Sequence, residues 1–132
     1  MIYTVTLNPS IDYVVTMDQL NEGSVNRVST ENLYAGGKGI NVSQILNQHG
    51  VDNVALGFIS GFTGVFIQES LHSKGIKTDF IHLKEGFSRI NMKVKTIVDE
   101  TEINGVGPAI SKEDIANLYA QFDGLTAEDV LV

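Results

Sequence analysis

Between Ala35 and Ser43 the chain reads Ala-Gly-Gly-Lys-Gly-Ile-Asn-Val-Ser, three glycines in four positions just ahead of a helical pattern. Val42, Ile45 and Leu46 follow at i, i+3 and i+4, and Gly50 is a stop signal. Glycine lets the backbone take unusual angles and lets a ligand approach it closely. The helix that follows starts with unpaired N–H groups and a partly positive end. Lys38 and Asn41 sit where both can reach a polar or anionic ligand held there. The plain alternative is a glycine-rich turn and nothing more. Two phosphate-loop patterns are excluded. Lys38 is followed by Gly39, not Ser or Thr, and Asn32 stands where a Walker A loop needs its first Gly. Val42 replaces the last Gly of the dinucleotide fingerprint that would begin at Gly37.

The flanking patterns predict alternating strands and helices. Ile2–Leu7 and Val54–Ile59 read as buried strands, and Phe80–Leu83 as another. A helix is expected from about Thr63, which would help cap it, to Lys74, with Gly75 closing it. Ser111 and Asp114 stand in capping-box spacing ahead of an Ile115, Leu118, Tyr119 and Phe122 stripe. Asp129–Val132 read as the start of a further buried strand. This alternation predicts an α/β core with parallel pairing in three layers.

Two stretches do not fit that core. Tyr13–Thr16 and Asn32–Ala35 read as short strands. Arg89–Val98 alternates with period two: Ile90, Met92, Val94, Thr96 and Val98 on one face, and Arg89, Asn91, Lys93, Lys95 and Ile97 on the other. One covered face and one mostly polar, basic face are expected. After an Asp99-Glu100 turn, Thr101–Ile103 continues the pattern. The segments around 13–35 and 89–105 therefore predict a small separate sheet at one edge.

Composition narrows the partners. A net charge of −7 argues against nucleic acid, so any anionic ligand needs local cations. The only arginines are Arg27 and Arg89. The absence of cysteine excludes disulfides and thiolate metal sites. His49, His72 and His82 have no metal-ligand spacing, so no metal site is expected. No stretch of about 20 apolar residues is present, so no membrane is expected as a partner, and a cytoplasmic protein is the simplest expectation.

The segments Thr6-Leu7-Asn8-Pro9-Ser10-Ile11-Asp12, Gly36–Ser43, Gly57–Gly64, Ser88-Arg89-Ile90-Asn91 and Thr101-Glu102-Ile103-Asn104 resemble, in this order, the ribokinase-like (phosphofructokinase-B) sugar kinases. Within that family they look like the 1-phosphofructokinases and tagatose-6-phosphate kinases. One departure is visible: Ser60 stands where the first signature usually ends in Gly. The resemblance implies the N-terminal part of a ribokinase-like three-layer α/β/α core with a small β-sheet lid. It implies phosphoryl transfer from ATP, with Mg2+, to a phosphorylated sugar, converting fructose 1-phosphate to fructose 1,6-bisphosphate. Tagatose-6-phosphate kinase, or a module that binds a phosphosugar without turning it over, are the alternatives.

By the same resemblance, Asp12 accepts sugar hydroxyls, while Gly37 and Asn41 contact the sugar. Lys38 reaches the sugar or its phosphate, and Arg89 binds the phosphate from the lid. Arg27 adds a phosphate contact, from a partner subunit if the lid sheet pairs two copies as a homodimer. Read from the residues alone, each keeps a plainer role: Asp12 a turn residue, Asn41 a helix cap, Lys38 and Arg89 solvated charges. The family's Gly-Ala-Gly-Asp segment, which supplies the catalytic base, does not occur in these 132 residues. The expectation is a partial sugar site without catalytic residues, the ATP-binding half lying elsewhere, and no kinase activity of this stretch alone.

Overall fold

The computed structural model describes residues 1–132. Five segments build the core sheet and its first helices: β1 (Ile2–Thr6), α1 (Lys38–Gln48), β4 (Asn53–Ile59), α2 (Gly61–His72) and β5 (Lys77–His82). Then come α3 (Lys112–Phe122) and β8 (Val130–Leu131). The strands lie in the order β5-β4-β1-β8, and every pair is parallel. β4 shows why the sheet must be covered on both faces: Ala55 and Ile59 pack with Ile40, Ile67 and Leu71. Its alternate residues Leu56 and Phe58 pack with Leu83 and Leu118. Helices α1 and α2 thus cover one face and α3 the other. Ile40, Ile59, Ile67 and Leu71 are fully buried, each contributing about 1.5–3 kcal/mol from burial.

The lid is a second sheet, of order β3-β2-β6-β7. It comprises β2 (Ser10–Thr16), β3 (Thr30–Gly36), β6 (Arg89–Lys95) and β7 (Glu100–Asn104). β2 pairs antiparallel with β3 and parallel with β6, a parallel pair that the hairpin-like sequence did not suggest. The strands begin earlier than expected at residue 10 and end earlier at residue 95. Ile97 and Val98 lie in a turn closed by the Thr96 amide donating to the Asp99 carbonyl (2.8 Å), and both are exposed.

The expected covered face is only partly covered. Ile11, Val15, Ala35 and Val94 are buried, whereas Leu33, Ile90 and Ile103 on the same face stay exposed. On the polar face Asn91 is buried instead, with its amide hydrogen-bonded on both sides. Thr63 does not cap α2 either. Its hydroxyl donates to the Ser88 carbonyl (2.7 Å), and Ser60 occupies the cap position. The Ser111–Asp114 capping box does form, and the Ser111 hydrogen bonds hold the Asp114 carboxyl below its usual range.

β8 is held to β1 by the Val130 and Val132 amides, which donate to the Met1 and Tyr3 carbonyls. Beside it, the N-terminal ammonium lies 2.8 Å from Asp129 Oδ1, and Thr126 also donates to that carboxylate. The ammonium, then the Thr126 bonds, hold the Asp129 carboxyl down to about 2 from 3.8. A depressed carboxylate adds stability above its unfolded pKa and loses it as pH falls through the folded one. Urea midpoints of wild type and Asp129→Asn are therefore expected to differ above pH 4 and to converge towards pH 2. Midpoints separated by a constant amount across that window would show that the pair does not stabilise the fold.

Candidate functional site

The lid strands leave the core where β1 ends, and this junction gathers the polar groups. Three glycines crowd around Thr6. A β-carbon at Gly37 would lie 2.5 Å from Thr6 Cγ2, one at Gly39 would lie 2.6 Å from both Thr6 Oγ1 and the Val5 carbonyl, and one at Gly57 would overlap the Thr6 carbonyl. Gly37 also takes φ of +130°, a conformation that L side chains rarely adopt. Thr6 Oγ1 in turn accepts from the Ile40 amide (3.0 Å). The glycine cluster is thus shaped for close packing of α1's first turn onto β1, which fixes where Lys38 and Asn41 emerge. Both side chains are exposed and make no hydrogen bond or ion pair within the chain. Asn41 is no helix cap: Gly37 occupies that position, and the Asn41 amide donates to the Gly37 carbonyl (2.8 Å).

Asp12 lies on the polar face of the lid sheet, two residues into β2. Its Oδ1 accepts from Ser10 Oγ (2.7 Å) and Asn91 Nδ2 (3.4 Å). Asn91 is fixed from its other end by the Gly105 amide, which donates to its Oδ1 (3.2 Å). Asp12 Oδ2 accepts no hydrogen bond within the chain. Gly36 leaves room for this carboxylate, since a β-carbon there would lie 2.5 Å from Oδ2. One oxygen is therefore anchored; the other lies 3.8 Å from the Lys93 ammonium but accepts no hydrogen bond, and can accept one from a ligand.

Arg89 stands opposite Ser10 in the β2–β6 pair. Its Nε donates to the Asn8 carbonyl (3.1 Å), which leaves both Nη groups without a partner in the chain. Asn8 also holds the segment that follows β7, its Nδ2 donating to the Val106 carbonyl (3.2 Å). Asp12, Gly37 and Arg89 are thus brought together at one junction, with Lys38 and Asn41 on the adjoining first turn of α1. Arg27 is not part of the cluster. It lies in the β2–β3 connection beyond Thr16, which is four residues along β2 from Asp12, or about 13 Å at 3.3 Å per residue. It makes no ion pair with any of these residues.

Sequence reasoning missed Ser10, Asn91 and Lys93 as members of this cluster. The period-two pattern carried the signal for two of them, because it puts Asn91 and Lys93 on the face of Arg89. A surface cleft of about 700 Å³, lined by His82, Lys84, Glu85, Pro108, Ser111 and Asp114 among others, includes none of the Asp12 cluster. It is open and of mixed polarity, whereas the Asp12 junction has fixed donors and an acceptor oxygen without a hydrogen bond.

Residues 5–132 match the family described as pfkB family carbohydrate kinase. The chain is 51% identical over 132 residues to the 1-phosphofructokinase of Bacillus subtilis (strain 168), covering all of this chain and 43% of that protein. It is 40% identical over 114 residues to a tagatose-6-phosphate kinase of Staphylococcus epidermidis, covering 86% of this chain and 36% of that one. Its fold superimposes on a crystal structure of a phosphofructokinase-like protein from Staphylococcus aureus with a TM-score of 0.89 at 45% identity, covering 99% of this chain and 42% of that one. The chain therefore spans less than half the length of these relatives. With the family match running over nearly every residue and the same fold found in a relative, this chain belongs to the pfkB family of carbohydrate kinases.

Proposed function

We propose that this chain forms the sugar-binding part of an ATP-dependent 1-phosphofructokinase, which phosphorylates fructose 1-phosphate to fructose 1,6-bisphosphate. The observation that carries the reading is the Asp12 carboxylate, anchored through Oδ1 and without a hydrogen bond at Oδ2, on the same sheet face as Arg89. A carboxylate accepts sugar hydroxyls and a guanidinium suits a phosphate bidentately. The identity to a 1-phosphofructokinase, 51% against 40% for a tagatose-6-phosphate kinase, favours the fructose phosphate over its runner-up.

In this reading Asp12, Gly37, Lys38 and Asn41 hold the sugar, and Arg89 holds its phosphate. Phosphoryl transfer is chiefly positioning and charge stabilisation, and ATP with Mg2+ supplies the transferable group. No group of three His, Asp or Glu side chains in this chain is placed to hold a metal ion. Mg2+, the nucleotide and the catalytic base are assigned mainly to the rest of the protein, because the family's Gly-Ala-Gly-Asp segment does not occur in these 132 residues. Exposed Leu33, Ile90 and Ile103 on the apolar lid face support pairing with a second copy, which would let Arg27 reach a neighbouring site.

The complete gene product, assayed with ATP, is expected to turn over fructose 1-phosphate at least about 10-fold more efficiently than tagatose 6-phosphate. The reverse preference would overturn the assignment. Arg89→Lys keeps the charge but loses the planar fork. It is expected to raise KM for the sugar phosphate about 10-fold, with KM for ATP unchanged; equal changes in both would remove Arg89 from the phosphate site.

A further inference from the structure

Lys93 sits on β6 two residues beyond Asn91, on the face that carries Asp12. Its ammonium is 3.8 Å from Asp12 Oδ2 and 3.7 Å from Glu102 Oε1, the residue directly opposite it on β7. Both separations exceed hydrogen-bond length. The ammonium is drawn between two carboxylates without bonding either, and its side chain is 32% exposed. Asp12 Oδ2 is unbonded too. A charged donor and a charged acceptor therefore face each other at 3.8 Å with no hydrogen bond between them.

One hydroxyl group can bridge this pair from the side. It can donate to Oδ2 at about 2.7 Å and accept from Nζ at about 2.9 Å, and those two lengths close a triangle on the 3.8 Å separation. A phosphate does not fit. This position is flanked by two carboxylates and only one cation, so a further dianion would be repelled. Arg89 has no carboxylate within ion-pair range and is the better phosphate partner. We infer that Lys93 is a substrate-contacting, specificity-determining residue, which together with Asp12 reads a single hydroxyl of the sugar. The inference rests on the proposed function of this site. It extends the site by a donor, so that a sugar lacking that hydroxyl leaves both charged groups unpaired.

The test uses the complete gene product with fructose 1-phosphate and its 3-deoxy and 4-deoxy analogues, comparing wild type, Lys93→Met and Lys93→Arg. Lys93→Met is expected to lower kcat/KM on the parent substrate by about 10- to 100-fold, the range for a hydrogen bond from a charged donor. On the one analogue that lacks the shared hydroxyl, the same substitution is expected to change kcat/KM by less than about 3-fold. Lys93→Arg keeps a donor and is expected to lose less on the parent, with the same dependence on the analogue. That variant keeps the test open should Lys93→Met not fold. An unchanged parent rate overturns the inference. So does an equal loss on every analogue, which would mark a structural role. If the wild type turns over no sugar phosphate, the proposed function fails and takes this inference with it; an active wild type with an indifferent Lys93 overturns this inference alone.

Discussion

Gly57→Ala is expected to destabilise the fold by about 3–5 kcal/mol, the exceptional end of single substitutions. A β-carbon there would lie 1.9 Å from the Thr6 carbonyl oxygen and 2.9 Å from its carbon. Neither is the flexible end of a side chain. Gly57 also takes φ of +146°, outside the range comfortable for alanine. Relief requires β1 to move away from β4 at the Thr6–Gly57 pair. Moving Thr6 would unseat Gly37, Gly39 and the Ile40 amide that depend on it. The strain therefore passes from the sheet to α1, which carries Lys38 and Asn41. Set against the total stability of about 5–15 kcal/mol usual for a domain, this threatens folding itself. Urea denaturation of the complete gene product gives the value. Gly124→Ala is the control, because nothing lies within 4 Å of a β-carbon there; it is expected to stay within about 0.5 kcal/mol of wild type. A Gly57→Ala midpoint as close as that would sink the packing argument.

Asp12→Asn is expected to lower kcat/KM for the sugar phosphate by about 10²- to 10⁴-fold while leaving the protein folded. Each hydrogen bond to a charged acceptor contributes about 1.5–3 kcal/mol, and the proposed site uses Oδ2 for as many as two ligand hydroxyls. The substitution keeps the shape of the side chain and removes its charge. It also forces a choice. If the amide nitrogen takes the Oδ1 position, it faces the donors of Ser10 and Asn91. If it takes the Oδ2 position, a donor replaces the acceptor the ligand needs. The pairing with Ser10 and Asn91 favours the second arrangement, so the damage falls on binding and not on folding. Unchanged kcat/KM would place the sugar elsewhere; lost activity together with a lowered denaturation midpoint of several kcal/mol would make Asp12 a structural residue.

Much of the architecture was legible in the residues because it depends on local pattern. The apolar run Val54–Ile59 predicts a strand buried on both faces, and its alternate side chains do divide between two clusters. The capping box at Ser111 and Asp114 needs only three residues of spacing and forms as expected. Asp12 and Arg89 could be singled out by motif, and the fold brings them to one junction. What failed was whatever depended on partners distant in the chain. Thr63 lies where a cap could form, but a carbonyl 25 residues away offers its hydroxyl a buried bond. Ile90 belongs by alternation to the covered face yet stays exposed, since coverage is decided by which element lies over that part of the lid.

The sequence by itself determined the alternation of strands and helices, the glycine cluster and the face of β6 that carries Arg89, Asn91 and Lys93. Those follow from backbone periodicity and from the absence of a β-carbon, which act within a few residues. Only the tertiary structure decided that β2 pairs in parallel with β6, that Asp12 is anchored at one oxygen by Ser10 and Asn91, and that Lys93 faces the other. Residues 12 and 91 are 79 apart in the chain. Their meeting is set by strand register, and register is fixed by how the whole lid sheet packs, so no local pattern could announce it.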